Sequence, residues 1–212
     1  MRRPIPPRTP LALAVLFLLY ERPMHPYELQ SHMRERGHDQ VIKLKGGSLY
    51  HTIERLQQAG LIEPIETGRE GRRPERTVYA ITPQGIDELL DWFAELLARP
   101  QQEFPMFGAA VAFLAALPPE QVTQLFQQRA AVLEAESART ASMIESMRRA
   151  DLSRIFRVES EYQQAMLQAE LRWVNEIVAD IRSGALAWPD EVLELHAQRQ
   201  QQRDQHAKEI NP

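Results

Sequence analysis

Four arginines fall within eight residues in Gly68-Arg-Glu-Gly-Arg-Arg-Pro-Glu-Arg76, and two lysines, Lys43 and Lys45, lead into Gly46-Gly-Ser-Leu-Tyr-His-Thr52. Guanidinium groups on a glycine-containing turn suit charge-assisted hydrogen bonds to phosphate oxygens. The stretch from Ser48 to Gly60 reads as a helix whose outward face carries His51, Thr52 and Arg55, side chains able to meet base edges in a major groove. As a set, these residues describe a surface for double-stranded DNA. Lys43 and Lys45 would hold the backbone at the helix entrance. Ser48, His51, Thr52 and Arg55 would lie at bases or nearby phosphates, and Arg69, Arg72, Arg73 and Arg76 would grip phosphates or the minor groove. Tyr50 stands at the edge of the Leu49–Ile53 face, where a phosphate contact and packing with a free hydroxyl fit equally well.

Other chemistries find little support. The 212 residues contain no cysteine, which removes disulfides, thiol nucleophiles and cysteine-based metal sites and fits a reducing, cytoplasmic setting. The six histidines, at 25, 32, 38, 51, 196 and 206, show no compact ligand spacing, so no metal is expected. Gly46-Gly47-Ser48 lacks the spacing and the Lys-Ser/Thr ending of a phosphate loop, and there is no Gly-x-Ser-x-Gly elbow. Glu134 and Glu136, like Glu159 and Glu161, lie on polar helix faces and read as solvating charge, not as acid/base pairs. No enzyme and no cofactor is expected. The net charge of −4 is unevenly spread: residues 1–99 carry 14 basic and 13 acidic side chains, net +1, and the remainder 11 and 16, net −5. That asymmetry permits local binding to nucleic acid.

The elements that must position these residues follow from periodicity. Leu11, Val15, Leu18 and Leu19 predict a largely buried helix over 9–21, stopped by Pro23. Although Arg2, Arg3 and Arg8 precede this apolar run as in a secretory leader, it ends in Glu21-Arg22-Pro23 without a small-residue cleavage site and is too short to span a bilayer. A second helix should start at Pro26 and end near Gly37; the third should be capped by Ser48 and end at Gly60. Short β-branched runs at 61–67 and 77–82 predict a hairpin with the arginine loop at its tip. Thr82-Pro83 then opens a helix reaching Arg99. Beyond it all segments read as helical: 106–117, 119–149 and 153–182. The glutamine-rich stretch 198–212 has no pattern and reads as a frayed tail. The fold class is therefore mainly α with a small β-hairpin: an N-terminal winged helix-turn-helix over 1–99 and an all-helical region over 100–197.

At these residues the chain resembles the PadR family of bacterial transcriptional regulators. The resemblance rests on His25-Pro-Tyr-Glu-Leu29, Gly47-Ser-Leu-Tyr50, Arg55-Leu-Gln-Gln-Ala-Gly-Leu61 and Gly71-Arg-Arg-Pro74 leading into Tyr79-Ala-Ile-Thr82. It covers about residues 10–98, and the remainder is similar in architecture alone. Pro26 stands where the family often has glycine. The resemblance implies a repressor bound to a near-palindromic operator, a homodimer made through C-terminal helices, and in many relatives release by small aromatic or multidrug-like compounds.

Two further expectations concern the helical half. Leu167, Leu171, Val174, Val178 and Ile181 repeat in steps of four and three, a seam for pairing with another helix, and are assigned to dimerisation. Among the aromatic residues, Trp92, Phe93, Phe107 and Trp173 are candidates for an effector pocket, with Trp92 foremost, since flat ligands favour apolar enclosure. Packing is the commoner fate of aromatics at helical spacing. The competing reading of the whole chain is an adaptor whose winged helix binds protein instead of DNA.

Overall fold

The computed structural model describes residues 8–37, 42, 46–68 and 76–210, which divide into two compact units, Met1–Glu103 and Phe104–Pro212. In the first unit, α1 (Pro10–Glu21) begins where the Thr9 hydroxyl accepts the Ala12 N–H at 3.2 Å. Its residues are apolar almost all round, and Ala12, Val15, Leu16, Leu18 and Leu19 are buried. α2 (Pro26–Glu35) is capped reciprocally: His25 Nδ1 accepts from the Tyr27 N–H at 3.1 Å, and the Glu28 carboxylate accepts from the His25 N–H at 2.9 Å. It turns Leu29 and Met33 inward against α1. α3 (Gly46–Gln58) does the same with Leu49, Ile53 and Leu56. It starts two residues before the expected cap, so Ser48 sits inside its first turn.

Gly60, at φ +75°, takes a left-handed conformation that a side chain would strain, and turns the chain from α3 into β1 (Ile62–Gly68). β1 pairs antiparallel with β2 (Arg76–Ile81), from Ile62↔Ile81 at the base to Gly68↔Arg76 at the outer end. The register shifts between Pro64 and Glu66. Pro64 offers no N–H to the ladder, and the bulge it borders leaves Ile65 exposed. The other edge of β2 is also occupied: Met24 and Tyr79 exchange both backbone hydrogen bonds at 3.0 Å. The proline-flanked link between α1 and α2 thus clamps the hairpin to the helices, a pairing the sequence did not suggest.

α4 (Pro83–Ala98) closes this unit. The Thr82 hydroxyl accepts the Gly85 N–H at 3.0 Å and donates to the Gly60 carbonyl at 2.8 Å, tying the end of α3 to the start of α4. A Cβ on Gly85 would stand 2.0 Å from the Leu61 carbonyl oxygen, so only glycine lets the two segments approach this closely. Arg8, read in the sequence as part of a basic leader-like stretch, lies 6.0 Å from the Trp92 ring centroid and bridges Glu88 and Glu95 of α4 at 3.1 and 2.6 Å. Hydrogen bonding to Glu95 first, then Glu88, raises its pKa.

The second unit contains α5 (Met106–Ala112), a 3₁₀ turn (Leu114–Ala116), α6 (Pro119–Arg149), a 3₁₀ turn (Arg154–Phe156), α7 (Val158–Ser183) and α8 (Asp190–Ile210). α6 and α7 pair along their length around Val122, Phe126, Ala130, Leu133, Val174 and Val178. Three expectations change here. The helix predicted over 106–117 breaks at Phe113 into two pieces. The one predicted from 153 starts at 158 after a separate turn. The stretch read as a frayed tail is helix as far as Ile210: its Gln, Arg, Glu and Ala residues are good helix formers even without an apolar period, and Pro189 with Asp190 and Glu191 supplies a start signal. The Trp188 indole N–H donates to the Leu117 carbonyl at 3.0 Å, fastening the approach to α8.

Candidate nucleic-acid interface

With Leu49, Ile53 and Leu56 committed to the core, the opposite face of α3 consists of Tyr50, His51, Glu54, Arg55 and Gln58, all exposed. Tyr50 is 59% exposed, so its ring projects from the surface and does not pack against Leu49 and Ile53. The His51 Nδ1 lies 3.9 Å from the Glu54 carboxylate, and the Gln58 amide donates to Glu54 at 3.3 Å. Glu54 is therefore flanked by two polar groups on the outward stripe.

Thr52 corrects the sequence reading. It is 9% exposed, and its hydroxyl donates to the Ser48 carbonyl one turn earlier at 2.8 Å. At 100° per residue position 52 lies between Leu56 and the buried Ala59, on the core side; its polar type suggested an outward position that the helical phase denies. Ser48 is half-buried on the first turn. Lys43, Lys45, Arg69, Arg72 and Arg73 lie outside the described residues. Arg76 opens β2 opposite Gly68, but its side chain is likewise outside the description. The outer end of the hairpin is thus where the arginine loop departs and returns.

Three outward residues were missed. Glu54 and Gln58 lie one and two turns from Tyr50 and His51 and could have been found by completing the helical stripe. Tyr27 is 71% exposed on the first turn of α2, directly after Pro26. Leu29 and Met33 face inward from the same helix, so the phase of that pair was the available signal.

The effector candidates separate into two cores. Trp92 is 6% exposed and belongs to the core of the first unit, under Arg8; Phe93 meets Phe17 edge-on at 6.4 Å. Phe107 and Trp173 belong to the second unit, 6.0 Å apart and each about 6 Å from Phe126. Trp92 is a packing residue, which corrects its place as the foremost pocket candidate. Of the seam assigned to dimerisation, Val174 and Val178 are buried against α6 of the same chain, and Leu167, Leu171 and Ile181 lie half-buried beside them. Part of this helix face is thus occupied within the chain. Among the described residues no group of three or more potential metal ligands occurs, and no helix is long and apolar enough to cross a membrane.

Comparison with known proteins bears on this surface. Residues 15–91 match the family described as the transcriptional regulator PadR-like family. Over 119 residues, 56% of this chain, the sequence is 25% identical to the negative transcriptional regulator PadR of Bacillus subtilis, a match that spans 64% of that relative's length. Among solved structures, B. subtilis PadR in complex with operator DNA aligns at TM-score 0.65 and 21% identity, covering 81% of this chain and 98% of that one. B. subtilis PadR in complex with p-coumaric acid aligns at TM-score 0.66 and 20% identity, covering 82% and 99%. The Vibrio cholerae virulence activator AphA aligns at TM-score 0.63 and 18% identity, covering 82% and 98%. At these identities the structural likeness establishes a shared winged-helix fold.

Proposed function

We infer that this chain is a transcriptional regulator of the PadR-like kind that residues 15–91 match, and that it binds double-stranded DNA through α3 and the hairpin wing. The observation that carries the reading is the two-faced character of α3. One face is wholly committed to the core, and the other holds Tyr50, His51, Glu54, Arg55 and Gln58 free of the fold. These side chains span the repertoire of base-edge contacts: Arg55 toward guanine, Gln58 toward adenine, Glu54 toward a cytosine amino group. The wing supplies the affinity, because Arg69, Arg72, Arg73 and Arg76 neutralise phosphates and release counterions. The backbone exchange between Met24 and Tyr79 keeps the wing in fixed relation to α2 and α3.

The regulatory reading draws on the B. subtilis relatives, one named a negative regulator and two solved with operator DNA and with p-coumaric acid. By that likeness the chain acts in the cytoplasm as a repressor, sits on a near-palindromic operator as a homodimer with recognition helices about 34 Å apart, and leaves it on binding a small aromatic ligand. Since Val174 and Val178 are used within the chain, self-association takes other residues; Val158, Tyr162 and Met166, exposed at four-residue steps along α7, are available for it. The test is binding of the purified protein to a labelled duplex of its own upstream region, competed by random duplex. Preferential retention of the upstream duplex, with His51→Ala or Arg55→Ala lowering that preference more than random-duplex binding, supports the assignment. Equal losses on both duplexes remove these two residues from base reading, and absence of salt-dependent DNA binding favours the protein-adaptor role.

A further inference from the structure

Glu54 stands at the middle of the outward face of α3. At 100° per residue it lies about 40° from Tyr50 on one side and from Gln58 on the other, about 60° from His51, and about 140–160° from the core residues Leu49 and Leu56. It is therefore the residue of that face aimed most directly away from the core, and its side chain is 64% exposed. Both carboxylate oxygens have polar neighbours on the same helix: Oε1 accepts the Gln58 amide at 3.3 Å, and Oε2 lies 3.9 Å from His51 Nδ1. Among the described residues no lysine or arginine pairs with it. Spacings of three and four residues give a helix weak support, which an uncharged glutamine would also supply. The negative charge itself, placed where a helix would face the floor of a groove lined by phosphates, needs a separate reason.

We propose that Glu54 is a specificity-determining residue of α3, which admits cytosine at the base it faces and rejects the other three. The inference rests on reading α3 as the helix that enters the major groove. A carboxylate can only accept hydrogen bonds. Cytosine offers it the N4 amino group, with no acceptor on the same edge. Adenine sets its N7 acceptor beside its amino donor, guanine presents N7 and O6, and thymine presents O4 and a methyl group, so each leaves at least one carboxylate oxygen opposed or unpartnered. The Gln58 amide restrains the carboxylate before DNA arrives, so less freedom is lost on reading the base. Away from a matching cytosine the same charge meets phosphates and base acceptors without compensation. It therefore lowers affinity for random duplex, while the arginine wing raises affinity for every sequence alike.

The experiment is selection of the full chain on a pool of randomised duplexes, run in parallel for the parent, Glu54→Gln and Glu54→Asp, followed by fluorescence anisotropy on the selected duplex and on random duplex. The parent is expected to enrich a sequence with a cytosine whose replacement weakens binding about tenfold. Glu54→Gln is expected to lose the preference at that position alone and to bind random duplex about threefold more tightly, one negative charge having gone. Glu54→Asp keeps the charge but draws it back by one methylene; it should retain the parent's affinity for random duplex and lose most of the cytosine preference. Identical base preferences in Glu54→Gln and the parent would overturn the proposal and leave Glu54 as a helix-supporting residue. So would a loss spread evenly over all positions, or a random-duplex affinity that does not rise in Glu54→Gln or rises equally in Glu54→Asp. A parent that binds no duplex would overturn the DNA reading on which the proposal stands, whereas a selective parent with an unchanged Glu54→Gln profile overturns the proposal alone.

Discussion

In the first unit one helix, α1, is buried on almost every side, and every neighbouring element inserts side chains into a single cluster around it. In the second, the apolar cluster occupies the part of the α6–α7 pair near α5, and farther along the pair polar groups join the buried positions: Ser137 accepts the Gln164 amide at 2.8 Å, and Thr140 and Ser160 are buried along with Ile144. Among the described residues the buried Gln164 carbonyl oxygen and the buried Arg157 Nε make no hydrogen bond, and the Arg157 Nε is left with an ion pair to Glu161 at 3.9 Å. The contrast suits two tasks. On the function proposed above, a surface that reads DNA needs α3 and the wing held in one geometry, whereas a half that answers to a ligand needs packing that can be shifted at small cost.

The comparison is broken most directly by disturbing the packing of the first unit. Leu18→Ala, at a position with no exposed surface, should cost about 3 kcal/mol by chemical denaturation and should abolish DNA binding near the midpoint of the first unit's transition. Gly85→Ala comes next. Its new Cβ would meet the Leu61 carbonyl oxygen, and the required backbone shift should cost about 2 kcal/mol, read as a lowered midpoint for the same transition. If either change lowered the second unit's stability equally, the two cores would not be independent.

How much of this was legible in the sequence depends on how local the cause was. Thr9-Pro10, Pro118-Pro119-Glu120 and Gly60 are local signals, and the helices and turn they mark stand where they were expected. The Met24–Tyr79 exchange joins residues 55 positions apart and has no local signature; Pro23 reads simply as a helix stop and Pro26 as a helix start. α8 escaped because propensity, not periodicity, specifies it. At the site, residue type announced Arg55 and His51, but Thr52 was assigned outward by its polarity when its phase puts it inward. The α7 seam shows the converse: a 4–3 repeat reveals that a helix has a partner without saying that the partner is α6 of the same chain.

Smaller effects sharpen the contrast. Arg55→Ala should cost about 1–3 kcal/mol in preference for the upstream duplex with little change in stability, since Arg55 is exposed; the ratio of specific to random-duplex affinity measures it. Ser137→Ala combined with Gln164→Leu replaces a half-satisfied polar pair with apolar groups and should change the second unit's stability by no more than about 1 kcal/mol in either direction, in contrast to Leu18→Ala. The smallest effect concerns Glu21, whose two carboxylate oxygens accept from Arg36 at 2.7 and 2.8 Å, which holds its pKa below the usual carboxylate value. A lowered folded-state pKa adds stability that is present above the unfolded value of about 4.3 and is lost as pH falls through the folded one. Because the pair is about a third exposed, Glu21→Gln should cost under about 1 kcal/mol at pH 7, and the difference from the parent should vanish on acidification below that window.

The central claim, that α3 and the arginine wing form a DNA-binding surface, is tested most directly by the salt dependence of duplex binding. Fluorescence anisotropy of the parent chain should give a log–log slope of several units. Arg72→Ala with Arg73→Ala should lower affinity for specific and random duplex alike and reduce that slope by about 1.8, near 0.9 for each phosphate no longer neutralised. An unchanged slope in the double variant, or a parent slope near zero, would contradict the claim.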